Sequence, residues 1–231
     1  QQISLNSTSS LEYYHIILDR LNDVGVSVRK RAITIIQDLV RSSNLSEHTN
    51  ALKKLAFKVL DEDEGVQQLI VKLFRETWFT SLLNHKRTEK SEVSKSVNVF
   101  ISVLWEVYYV TNKNGSVSLP LSSSFPVILI LKKILNPSGE DFVLSSGYDL
   151  KDFRSATKRL LYGMVDGMIK TEEIQNTSAF IKKDGFQESS SAKFALGIHT
   201  IAVVDPNLCV SEDDPTYIIV ALQPYLKRNN E

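Results

Sequence analysis

A chain of 231 residues with 42% apolar content has enough hydrophobic side chain for a continuous core, as one large domain or a run of stacked repeats. Its 27 Lys and Arg balance 27 Asp and Glu, which removes any global field toward nucleic acid or anionic lipid, so a contact of that kind has to come from a local patch. One cysteine, Cys209, rules out an internal disulfide and a Cys-rich zinc site and fits a reducing, intracellular compartment, while no apolar run approaches the roughly 18 residues of a membrane span. The opening QQISLNSTSS has neither an initiator Met nor the apolar core of a signal peptide. The sequence therefore reads as a segment of a longer chain, and the sequons at Asn6, Asn44, Asn114 and Asn176 as chance matches.

Residues 1–10 are polar and patternless, a tail or loop. Residues 11–22 place Leu11, Tyr14, Ile17, Leu18 and Leu21 at helical spacing. The turn Asn22-Asp23-Val24-Gly25 follows, Ser27 is a candidate N-cap, and Val28 to Arg41 form a second helix. The next block repeats the first. An offset of 38 sets Asp23 on Asp61, Val28 on Val66, Leu18 on Ala56, Leu21 on Val59, Ile33 on Val71 and Ile36 on Phe74. A helix-pair period near 40 suits HEAT or armadillo repeats, whose hairpins cannot bury their apolar faces alone and must stack. The expected fold is all-α, a HEAT-repeat α-solenoid, with two hairpins over 11–80.

Beyond Phe79 the period loosens, and 81–147 reads as a divergent helical repeat with polar linkers. It holds an apolar helix, Val93 to Val110, a Ser/Pro-rich connection, and the run VILILKKIL at 127–135. That run could pass for a strand, but Lys132-Lys133 and the flanking Pro126 and Pro137 favour a short buried helix. Residues 148–231 add further HEAT-like helices: a long one at 148–170 and a hairpin of 189–204 with 215–227. The connections at 112–126 and 171–188 are long and polar.

The triplet Arg29-Lys30-Arg31 separates on a wheel of about 100° per residue. Val28, Ala32, Ile33, Ile35, Ile36, Leu39 and Val40 fill one arc, and Arg29 falls inside it. Arg29 is therefore expected to be structural; in HEAT proteins an Arg at this place commonly pairs with turn aspartates in a ladder between repeats, and Asp23 is the local candidate. Lys30 points away from the arc and Arg31 lies near its other edge; these two are the better candidates for phosphate. Equivalent positions of stacked repeats align into one surface, so Lys53, Lys54, Lys58, Lys72 and Arg75 could extend a basic stripe. Such a stripe would bind phosphates without reading bases. The bland alternative is a solvated helix face. The acidic run 61–64 occupies the turn equivalent to residues 22–25 and stabilises a helix start; its functional reading, through Asp63 and Glu64, is a brake on nearby DNA contact or a dock for a basic partner.

Signs of catalysis are poor. No P-loop, nucleophile elbow or HExxH pair occurs, His15, His48, His85 and His199 are scattered, and Cys209 beside Asp205 and Glu212 has no adjacent base. No cofactor and no metal are expected. Trp78-Phe79 and Tyr108-Tyr109 read as core residues.

The stretch LEYYHIILDRLNDVGVSVRKRAITIIQDLV, followed by VLDEDEGVQQLIVKLFRETWFT, resembles the HEAT core of the Nipped-B (adherin) family of cohesin-loading subunits. GVSVRKR, the DEDEG turn and RETWFT carry the likeness over about residues 11–80; 150–170 and the end LQPYL look like following repeats. The resemblance implies a non-catalytic, nuclear, chromatin-associated scaffold that binds double-stranded DNA, the cohesin ATPase heads and the kleisin subunit, and promotes loading and ATP hydrolysis by cohesin. A small partner subunit would bind outside this segment, and no membrane is involved. It also implies DNA contact by the motif matching Arg29, Lys30 and Arg31, with the turn around Glu64 near that surface. The rival reading is a HEAT adaptor that binds only proteins.

Overall fold

The computed structural model describes residues 7–42, 48–83, 90–112, 122–135, 149–177 and 190–209, together with 218 and 220. These residues are almost entirely helical, with eight α-helices and no strand among them. Helix α1 (Ser7–Asp19) runs into a 3₁₀ turn at Arg20–Asn22, and α2 (Val26–Ser42) returns beside it. Helices α3 (Thr49–Lys58) and α4 (Glu64–Leu83) make the second hairpin.

The two hairpins start their second helices by the same device. Asp23 Oδ1 accepts the Gly25 N–H at 2.9 Å, and 38 residues on Asp61 Oδ1 accepts the Asp63 N–H at 3.1 Å. Each is a side chain imitating a turn of backbone. The Gly25 carbonyl then takes the Val28 and Arg29 N–H groups. Helix α2 thus begins at Val26, and Ser27, expected as its N-cap, sits exposed inside the first turn. Helix α1 likewise takes in Ser7 to Ser10, which the sequence pattern leaves outside the first helix.

Stacking follows from the apolar stripes. Helix α2 buries Ala32, Ile33, Ile36 and Val40, at the three- and four-residue spacing of one helix face. Val28 and Ile35, expected in that arc, are 39% and 38% exposed. Their counterparts Val66 and Leu73 are buried. The reason is that α4 has neighbours of its own layer on both flanks, whereas α2, apart from α1 and the 3₁₀ turn of its hairpin, has α4 on one flank among the described residues.

Helix α5 (Lys90–Thr111) continues the layer of α3. In the other layer the place beside α4 is shared. The last turn of α6 (Pro126–Leu135) meets α4 at Arg75, which donates to the carbonyls of Ile134 (2.9 Å) and Lys133 (3.2 Å). The first half of α7 (Leu150–Thr177) meets its far end, where Phe79 packs on Phe153 and Arg159 donates to the Leu82 carbonyl. The apolar run at 127–135 is thus a helix, with Pro126 at its first position, where a missing N–H costs nothing. Helix α8 (Ser190–Val204) packs on α5, α6 and α7.

Close approach is set by glycines. A Cβ on Gly163 would stand 2.9 Å from a Val97 methyl of α5, and one on Gly167 only 2.6 Å from the Phe194 ring of α8. Trp78, Phe79 and Tyr108 are buried as expected, but Tyr109 is exposed. Helix α7 continues to Thr177, through residues expected in a connection. Most of the helix expected at 215–227 lies outside the described residues.

Candidate nucleic-acid interface

The basic triplet enters α2 with its three side chains in different surroundings. Arg29 is 4% exposed. Its Nη1 donates to the carbonyls of Asp23 (2.9 Å) and Val24 (3.1 Å), and its Nη2 to Asp61 Oδ1 (2.9 Å) and Glu62 Oε1 (3.5 Å). One guanidinium ties the turn of the first hairpin to the turn of the second. The local candidate is corrected in detail: Arg29 takes the backbone of Asp23, while the carboxylate partner is Asp61 of the following repeat. The Asp23 carboxylate faces Gly25 N–H and Arg20 instead, and these hold it below the usual carboxylate range, with the Arg29 charge adding to them. So enclosed, Arg29 has little surface left for the DNA contact that the resemblance implies.

Lys30, expected to be free for phosphate, is paired: its Nζ lies 2.9 Å from Asp63 Oδ1. That same oxygen accepts the Val66 N–H at 2.9 Å, which makes Asp63 the cap of α4. Lys30 first, then the Val66 N–H, hold the Asp63 carboxyl below its ordinary value. Glu64, one residue on, is exposed in the first turn of α4 and accepts from Gln68.

Arg31 is exposed and has no ion-pair or hydrogen-bond partner among the described residues. Lys72 on α4 is in the same condition. Gln37 and Arg41 of α2 meet Glu76 of α4, at 3.1 and 2.6 Å, and so mark the flanks by which the two helices touch. Arg31 and Lys72 lie off those flanks and away from the core, on the outward side of the pair.

The wider stripe divides. Lys53, Lys54 and Lys58 belong to α3, in the other layer, and each meets an acid: Glu106 at 3.1 Å, Asp19 at 3.9 Å and Asp61 at 3.8 Å. The two helices of a hairpin expose opposite sides, so Lys54 does not share the outward face of Arg31 and Lys72. Arg75, half-buried, caps the carbonyl end of α6. In its stead α6 brings two lysines that sequence reasoning passes over as functional residues. Lys133 donates to Gln67 of α4, and Lys132 is exposed beside it. The signal is present in the sequence: with Val127, Ile128, Ile130, Leu131, Ile134 and Leu135 turned inward, both lysines must point out.

Among the described residues no three His, Cys, Asp or Glu side chains converge on a metal-sized site, and no helix is long and apolar enough to cross a membrane. Cys209 ends a short 3₁₀ turn (Pro206–Cys209), where burial and then the Asp205 charge push its thiol up, away from the reactive thiolate.

The chain is 26% identical to the Nipped-B protein of Drosophila melanogaster over 218 residues, 93% of this chain and 9% of that one. The chain is thus similar to a Nipped-B protein over most of its length. Nipped-B-like protein A of Danio rerio is 31% identical over 99 residues, 42% of this chain and 4% of that one, and human Nipped-B-like protein is 36% identical over 70 residues, 30% and 2%. The chain thus spans less than a tenth of the length of these Nipped-B relatives. No family model and no solved structure matches it.

Proposed function

We propose that the chain is a non-catalytic scaffold segment of a cohesin loader, acting in the nucleus on chromatin. It binds double-stranded DNA without reading sequence, contacts the cohesin ATPase heads and the kleisin, and stimulates ATP hydrolysis by cohesin; the small partner subunit binds elsewhere on the loader. Similarity to Nipped-B proteins over most of the chain supports the loader role. The observation that carries the DNA role is the exposure of Arg31 and Lys72, unpaired among the described residues, on the outward side of adjacent helices. Lys30 stands at the same edge, Lys132 and Lys133 extend the surface onto α6, and Arg29 acts as the brace that sets α2 in place. Cations on parallel helices suit a phosphate backbone, which carries no base information. Lys54, on the other layer, would meet DNA only on a second path.

The test is charge reversal. Arg31→Glu with Lys72→Glu is expected to weaken duplex binding and to lower the salt slope by roughly 0.9 for each phosphate that is no longer neutralised. Helicity stays unchanged, and DNA-dependent cohesin ATPase falls. Wild-type affinity at low salt in the double variant would sink the DNA role.

The second reading, a HEAT adaptor that binds only proteins, draws on the pairing of Lys30, Lys53 and Lys54 with acids, which leaves a weaker field than the sequence suggests. Failure of the chain to shift duplex DNA would favour it.

A further inference from the structure

The start of α4 holds an arrangement that neither packing nor capping requires. Asp63 Oδ1 already accepts the Val66 N–H, and it also accepts the Lys30 ammonium. That ammonium lies over Gly65, where an added Cβ would collide with Nζ and stand 3.0 Å from Cε. Lysine can lie across this turn because residue 65 has no side chain. Arg29, bonded to Asp61, fixes the start of α2 beside the same turn, so the backbone cannot carry Lys30 away from Asp63. Only the side chain can move. Its exposure is 39% and that of Asp63 is 30%, and the four-carbon stem of lysine lets the charged end swing into solvent.

We propose that Asp63 is a latch on Lys30, holding the ammonium on the carboxylate in the free chain and releasing it to stand beside Arg31 when a duplex phosphate takes the carboxylate's place. This rests on the DNA-binding function and assigns its regulation. The residue that limits affinity is then an acid that never touches DNA, and a side chain at residue 65 would force the ammonium to shift from its place over the turn. Surface pairs of this kind are weak and screened by salt, so the latch grades binding and does not abolish it.

The experiment is duplex DNA affinity of the full chain, by fluorescence anisotropy at fixed low salt, for wild type, Arg31→Glu, Lys30→Ala, Asp63→Asn, Gly65→Ala and Lys30→Ala with Asp63→Asn. Asn caps a helix as well as Asp does, so Asp63→Asn removes the latch and keeps the start of α4. It is expected to tighten binding about 1.4- to 5-fold, the range an exposed ion pair spans. Gly65→Ala, which alters no charge, is expected to tighten it in the same direction by evicting Nζ. In the Lys30→Ala background the gain from Asp63→Asn is expected to fall by at least half. A gain of full size without Lys30 would show bulk charge at work and overturn the latch. So would unaltered affinity in both Asp63→Asn and Gly65→Ala while Arg31→Glu still weakens binding. If Arg31→Glu and Lys30→Ala change nothing, the DNA-binding function itself fails and the latch falls with it.

Discussion

Helices α1 to α4 are joined by a repeated turn and, among the described residues, one buried ion pair, whereas the helices from α5 onward are joined by contacts that occur once each. In the first region Asp23 and Asp61 make the same bond to the residue two ahead, and Arg29 spans the two turns. In the second, Arg75 caps α6, Arg159 reaches the end of α4, Asp149 and Asp152 exchange bonds at the start of α7, and Gly163 and Gly167 let helices close. Periodic contacts use the same residue types at a fixed spacing; singular ones leave no such mark. Stacking tolerates both, because each hairpin needs only an apolar face from its neighbour.

Removing the Arg29 guanidinium should test this contrast most severely. Arg29→Met leaves the buried Asp61 with Lys58, at 3.8 Å, as its remaining cation, so the cost is expected toward the lower end of the roughly 3–5 kcal/mol that breaking a buried pair takes. Thermal melts followed by circular dichroism should show a drop of many degrees, with Lys30→Ala close to wild type. Equal losses in the two variants would erase the division between a bracing and a surface cation.

The second region should break by crowding. Gly167→Val drives methyls into the Phe194 ring, and such overpacking costs about 1–3 kcal/mol. Hydrogen exchange should then rise first in α7 and α8, with α2 and α4 protected; uniform loss would mean that the array unfolds as one unit. Arg75→Ala should cost less, about 1 kcal/mol, by leaving α6 carbonyls without that donor.

The smallest effect is one of pH. The folded-state values of Asp23 and Asp63 are both lowered, so what these carboxylates contribute is present above their unfolded value of about 3.9 and is lost as pH falls through the folded value. Carboxyl NMR titration should find both groups below about 3.9. In Lys30→Ala, Asp63 should move up and Asp23 stay. An unmoved Asp63 would show that the helix N–H, and not the ammonium, sets its acidity.

The all-α fold was legible because apolar residues recur at helical spacing and because Asp23, Val28 and Ile36 find aspartate or apolar counterparts 38 positions later. The burial of Arg29 was legible from the wheel, since its azimuth falls among Ala32, Ile33 and Ile36. The partners were not. A wheel gives the direction of Lys30 but not what stands opposite, and Asp63 is 33 residues away at the start of another helix. The same limit hid Lys54 on the other layer, the capping role of Arg75, and the lysines of α6, which reach this surface only because α6 lies along α4. It also placed Val28 and Ile35 in a covered arc, when cover depends on a neighbour that α2 has on one flank only among the described residues.

A superhelix can be regarded as a spring, and the Arg29 bridge then becomes a statement about compliance. A guanidinium that holds two successive turns by four acceptors prevents the first coil from twisting against the second without stripping a buried charge of its partners. Beside α4, by contrast, the load passes to two separate helices, to α6 through Gln67 and Arg75 and to α7 through Phe79 and Leu82. Bending of the array should therefore gather at that divided joint, leaving the surface that carries Arg31 and Lys72 to move as a rigid plate.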